Sequence, residues 1–177
     1  MPTTRLLLGL VFSGLSFNIA LAGPADFSTG PRIKGFGAVA SVPAATALPA
    51  DARFKVAFDV AEAGAAGELN RRFDSAARFL NMHARAGLPN QAVQVAIVVH
   101  GPAALDLANA DKLGHDNPNA ELIAALIDAG VTITLCGQTA THRDIGPDDL
   151  LPGVQLSLSA MTAHALLQQQ GYTLNPW

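Results

Sequence analysis

The sequence has 177 residues, half of them apolar, only 14% charged, with a formal net charge of −3 and a single cysteine. One globular domain is the default, and intrinsic disorder, a coiled coil and a basic nucleic-acid footprint are all disfavoured. One cysteine excludes an internal disulfide and a thiolate zinc site, so Cys136 is a buried small residue, an intermolecular bridge or a thiol with chemistry of its own.

In chain order, the first segment carries Arg5, an apolar run from Leu6 to Leu21, and Ala20-Leu21-Ala22 before Gly23. This is the pattern of a cleaved secretory signal. Gly9, Ser13, Gly14, Ser16 and Asn18 interrupt the run and leave it short of the ~20 apolar residues that a spanning helix needs. Cleavage after Ala22 is expected to deliver a periplasmic product that is not inserted in the membrane and, without Arg5, is more acidic. In an oxidising compartment a lone thiol calls for a reason.

Residues 23–52 are rich in proline, glycine and alanine, without a sustained period of 2 or 3.6. They read as an extended N-terminal arm: a tether in the simpler reading, a strap on a neighbouring subunit in the other. A single domain is expected over residues 53–177. FKVAFDV (54–60), VQVAIVV (93–99), VTITL (131–135) and VQLSL (154–158) read as strands, the first three apolar enough for burial on both faces. Leu69, Phe73, Ala76 and Leu80 give an amphipathic helix that stops at Gly87 and Pro89, with Arg71, Arg72, Asp74, Arg78 and Arg85 mostly on its solvated face. A second helix is expected from Asn117 as cap and Pro118 as first residue, burying Leu122, Ile123, Leu126 and Ile127 and stopping at Gly130. A third follows Ser159 and ends at Gly171, before an edge strand over 172–174. This alternation predicts a three-layer α/β domain: a mostly parallel sheet flanked by helices.

In such a sheet, ligands bind beyond the carboxyl ends of the strands. Asp59, His100 and Cys136 close three different strands and bring an acid, an imidazole and a thiol to one edge. Gly137 lets a backbone approach the cysteine, and the residues from Gln138 onward start a short helix whose amides favour a thiolate. The chemical pair expected is Cys136 with His100, in a pocket lined by Asp59, Gly101, Asn117, Gly137 and Gln138. The competing readings are a cysteine packed inertly at a buried strand end and a histidine that only orders its loop. His115, His142 and His164, with Asp116 and Asp144, match no metal-ligand spacing, and GAAGEL lacks the full dinucleotide-binding pattern. No metal or cofactor is expected.

VAIVVHGPA, NPNAELIAALIDAGVTITLCGQTA, DDLLPGVQLSLSA and LQQQGYTL resemble the DsrE/DsrF-like (YchN-like) family, over residues from about 53 to 174. The resemblance implies a compact parallel α/β domain that assembles as a homo-oligomer, commonly a trimer or hexamer. Sulfur-relay members carry sulfur as a persulfide on a cysteine between a strand and a helix, and Cys136 stands at the matching position. Those members are cytoplasmic and have other residues where this chain has Gly137-Gln138.

Three readings follow. In the first, Cys136 accepts and donates sulfane sulfur in exchange with an exported donor or acceptor protein. In the second, a homo-oligomer binds a small molecule or serves assembly, with an inert buried cysteine; in the third, Cys136 forms a mixed disulfide with an exported partner. A sulfur buried among aliphatic side chains favours the second.

Overall fold

The computed structural model describes residues 23–43 and 45–175; the expected signal segment, 1–22, lies outside them. Its centre is a five-stranded sheet: β1 (Phe54–Val60), β2 (Val93–Val99), β3 (Thr132–Cys136), β4 (Gln155–Ser157) and β5 (Thr173–Asn175). The order is β4-β3-β2-β1-β5, and every neighbouring pair is parallel. The helices are α1 (Arg71–Arg85), α2 (Ala110–Leu113), α3 (Ala120–Asp128), α4 (Gly137–His142) and α5 (Ala160–Gln169).

Side chains alternate across the pleat, so each strand feeds two layers. Val56, Phe58 and Val60 of β1, Val95, Ile97 and Val99 of β2, and Ile133 and Leu135 of β3 form one core with Phe73, Ala76, Ala77 and Leu80 of α1 and with Leu122, Ile123 and Leu126 of α3. Ala140 of α4 belongs to that core too. The other face carries Ala57, Asp59, Ala96, Val98 and Cys136, and α5 packs there through Ala163. Connection handedness explains the division: β1 to β4 step one way across the sheet, whereas the link from β4 to β5 steps back past β1, so right-handed crossovers put α5 on the opposite face.

The arm departs from the tether expectation. Ser28 and Val39 pair in an antiparallel bridge, and the segment between them folds as a strap on the chain's own α1, with Ile33 and Val39 fully buried. An irregular strap must satisfy its own backbone polar groups. Here α1 does so. The Asn81 amide accepts from the N–H groups of Arg32 (3.1 Å) and Ile33 (2.8 Å) and donates to the carbonyls of Ile33, Phe36 and Gly37 at 3.0 Å each. The Arg85 guanidinium donates to the carbonyls of Ser28, Thr29, Gly30 and Val39, and Asp74 accepts from the Gly37 N–H at 2.7 Å. At Gly37, φ is +62° and a Cβ would fall 2.5 Å from the Ala77 backbone, so only glycine lets the strap lie this close. Asp74 and Arg85, read from the sequence as solvated, are therefore the strap's anchors.

The second long helix also starts later than expected. Asn119 is the N-cap of α3, and Pro118 stays in the preceding turn. Asn117 instead accepts from the Asn119 N–H (2.8 Å) and donates to the carbonyls of Asp106 (3.0 Å) and Ala108 (2.7 Å). It closes the loop between β2 and α3 by holding both of its sides.

Candidate functional site

The carboxyl ends of β3 and β4 leave for opposite faces, β3 into α4 on the side of α1 and α3, β4 into α5 on the other. A crevice at such a switch of direction is where open parallel sheets bind ligands. Cys136, the last residue of β3, stands at that switch.

The cysteine is 6% exposed. Burial works to raise the thiol pKa, but the donors near it outweigh that effect: the backbone N–H and hydroxyl of Thr139, and the backbone N–H groups of Ala160 and Gln138. The net effect is a pKa below the ordinary cysteine value, because donors aimed at sulfur favour the thiolate. Two of the N–H groups come from the first turn of α4 and one from the first residue of α5, whose N-cap is Ser159.

Thr139 was not legible as a site residue. Its hydroxyl accepts from the Gly101 N–H at 3.3 Å, which leaves the hydroxyl hydrogen for the sulfur. Gly101 thus acts through its amide. Thr139→Val is expected to raise the thiol pKa and slow alkylation at neutral pH several-fold, since a bond to a charged acceptor is worth about 1.5–3 kcal/mol before water takes its place. Thr139→Ser is expected to retain the wild-type profile. Rates with iodoacetamide across pH measure both, and an unchanged valine variant would remove Thr139 from the site.

Gly137 has a packing role. A Cβ there would meet the Ser157 carbonyl oxygen of β4 at 2.4 Å, so its hydrogen is what allows β3 and β4 to come together beside the thiol. The Gln138 side chain is exposed and donates to the Leu158 carbonyl at 3.3 Å. It ties α4 to the segment that leads into α5.

His100 directly follows β2. The register pairs Val99 with Leu135, so the next position sets His100 beside Cys136 on the neighbouring strand and on the same face. Its N–H donates to the Val60 carbonyl at 3.0 Å and its backbone is extended, so the strand alternation holds through it. His100 Nε2 lies 3.2 Å from Asp59 Oδ2, and His164 Nε2, from α5, lies 2.8 Å from Asp59 Oδ1. One carboxylate therefore holds two imidazoles. Among the described residues, no three His, Cys, Asp or Glu side chains are grouped as metal ligands.

Of the residues expected to surround the thiol, Gly137 and Gln138 adjoin it, Gly101 reaches it through Thr139, and Asp59 stands behind His100. Asn117 does not line it, being committed to Asp106, Ala108 and Asn119. His164 went unrecognised because its place depends on α5 crossing to that face. A separate cleft of about 530 Å³, lined by Glu62, Gly64, Asn70, Arg71 and Arg72 among others, opens at the β1–α1 loop.

The DsrE/DsrF-like family model matches residues 55–176. The chain belongs to the DsrE/DsrF-like family. Among solved structures, it is similar to a protein of unknown function from Methanobacterium thermoautotrophicum, at 20% identity and a TM-score of 0.48, over 69% of this chain and 97% of that one. It is also similar to the YchN protein of E. coli, at 15% identity and a TM-score of 0.45, over 69% of this chain and 99% of that one. A comparison with curated proteins finds no match. Membership of the DsrE/DsrF-like family ties the chain to a fold related to sulfur relay, and the matched residues include β1 to β5 and Cys136.

Proposed function

We propose that this protein is an exported sulfur-handling member of its family, in which Cys136 accepts sulfane sulfur as a persulfide and passes it on. The carrying observation is the place of the thiol: Cys136 ends β3 and is the N-cap of α4, where the amides of α4 and α5 lower its pKa at a position that would otherwise be an inert strand end. A persulfide carrier needs a nucleophilic thiolate and no second thiol to discharge it as a disulfide, and the chain has one cysteine. The export reading rests on the N-terminal pattern of Arg5, the apolar run and Ala20-Leu21-Ala22. An exported donor or acceptor protein would complete the relay.

The test is direct. The mature protein, incubated with a sulfane-sulfur donor and weighed intact, is expected to gain one sulfur atom, and Cys136→Ser is expected to gain none. No gain on the wild type, or equal gain on both, would sink the proposal.

The low exposure of Cys136 favours the second reading, a ligand-binding or assembly protein with an unreactive thiol. Alkylation that occurs only after unfolding would support it. The proposed homo-oligomer has exposed apolar side chains to bury: Leu158, just after β4, and Met161 of α5, at 72% and 81% exposure. Light scattering is expected to give a trimer or hexamer, and a monomer at micromolar concentration would overturn the assembly.

A further inference from the structure

We infer that Asp59 and His164 are positioning residues that make His100 the proton carrier for Cys136. The inference rests on the sulfur-transfer reading and gives it a mechanism for moving the proton. His100 and Cys136 occupy in-register positions on neighbouring strands, which run about 4.8 Å apart, with both side chains on the face covered by α5. His100 directs Nε2 at Asp59 Oδ2, 3.2 Å away. A carboxylate accepts, so Nε2 carries the ring hydrogen and Nδ1 is left as the acceptor.

Asp59 is itself fixed by His164 Nε2 on its other oxygen, at 2.8 Å. His164 lies four residues after Ala160 on α5, so the helix presents the Ala160 N–H to the sulfur and the His164 ring to the carboxylate from one side. Asp59 faces a layer made of Ala57, Ala96, Val98 and Ala163, where a small apolar residue would pack. Instead a carboxylate stands between two imidazoles, about one-third exposed, open enough to exchange protons with solvent.

The step balances without an oxidant. Cys136 gives its proton to His100 Nδ1 through an intervening water. The thiolate then attacks the outer sulfur of a persulfide, R–S–SH, forming the Cys136 S–S bond as the donor's S–S bond breaks. The leaving thiolate, R–S⁻, takes the proton back from the His100 imidazolium, whose charge Asp59 offsets during its lifetime. Oxidation level is conserved, because sulfane sulfur only changes hands. The titratable groups facing this step are Asp59 from β1, His100 after β2, Cys136 from β3 and His164 from α5. β4 contributes none, Asp106 in the turn after β2 is bonded to Gly64 and Asn70, and His142 of α4 is exposed at that helix's far end.

The experiment uses glutathione persulfide as donor and iodoacetamide as a probe that needs only the thiolate. His100→Gln is expected to slow sulfur uptake at neutral pH about 10²-fold, the lower range for a positioned acid–base group. Alkylation well above the thiol's titration is expected to be unchanged. Asp59→Asn and His164→Gln are expected to slow uptake by smaller factors. Independently of any variant, ¹H–¹⁵N spectra of the wild type are expected to show His100 with its hydrogen on Nε2. A hydrogen on Nδ1, or uptake by His100→Gln equal to wild type at every pH, would overturn the inference while leaving the carrier reading intact. No uptake by the wild type would instead remove the carrier reading.

Discussion

Asn81→Ala is expected to cost about 3–4 kcal/mol of stability, near the top of the range for single substitutions. The side chain is fully buried and makes five hydrogen bonds to the strap, two as acceptor and three as donor. Truncation leaves the N–H groups of Arg32 and Ile33 and the carbonyls of Phe36 and Gly37 without this partner, while the Ile33 carbonyl keeps the Gly30 N–H, and a buried polar group left unsatisfied costs about 1–3 kcal/mol. The sum is not reached because water can enter beside the half-exposed Arg32 and Phe36 once the strap lifts. Urea unfolding measures the loss, and limited proteolysis locates it: cleavage within residues 28–40 is expected well before cleavage of the sheet. A loss under about 1 kcal/mol would mean that the strap adds little to the fold, whatever its contacts.

Gly137→Ala is expected to damage stability and chemistry together. The added methyl meets the Ser157 carbonyl oxygen at 2.4 Å, and both atoms belong to backbone or are fixed to it, so no rotamer relieves the clash. β4 must move away from β3, at the cost of about 1–3 kcal/mol typical of overpacking. Because β4 leads directly into α5, the Ala160 N–H moves with it and one donor to the thiolate weakens. The thiol pKa then rises: less thiolate is present at a given pH, and alkylation at neutral pH slows. The same donors link charge to stability. A thiol whose folded pKa is lowered stabilises the fold above its unfolded titration range, and the contribution is lost as pH falls through the folded value. Thermal melts and alkylation rates on the same preparation test both halves. A variant with wild-type melting and slowed alkylation would separate two effects that the geometry couples.

The sheet was legible because its strands announce themselves. FKVAFDV and VQVAIVV are β-branched runs bounded by turn residues, and they form β1 and β2 at the expected bounds. Cys136 was legible for the same reason, as the polar end of such a run. What the sequence concealed are contacts between distant segments. Asn81 looks like an indifferent residue within a helix, and only the strap, 44 to 49 positions earlier, gives it partners. Asn117 carries a strong capping signal, but the loop's own carbonyls competed for its side chain and won, so the helix began two residues further on. Thr139 and His164 reach the thiol's neighbourhood through tertiary placement: one through a short helix folded back on β3, the other through a helix that crosses to the second face. Spacing along the chain carries no trace of either.

One feature of α5 has a consequence for how the thiol answers its surroundings. The helix delivers an amide to the sulfur at its first residue and an imidazole to Asp59 one turn later, while Met161 and Leu166 on its outer side stand in solvent. It is a single lever with two working ends and an exposed handle. A molecule that bound there and moved α5 would act on the amide beside the sulfur and on the imidazole beside Asp59 together.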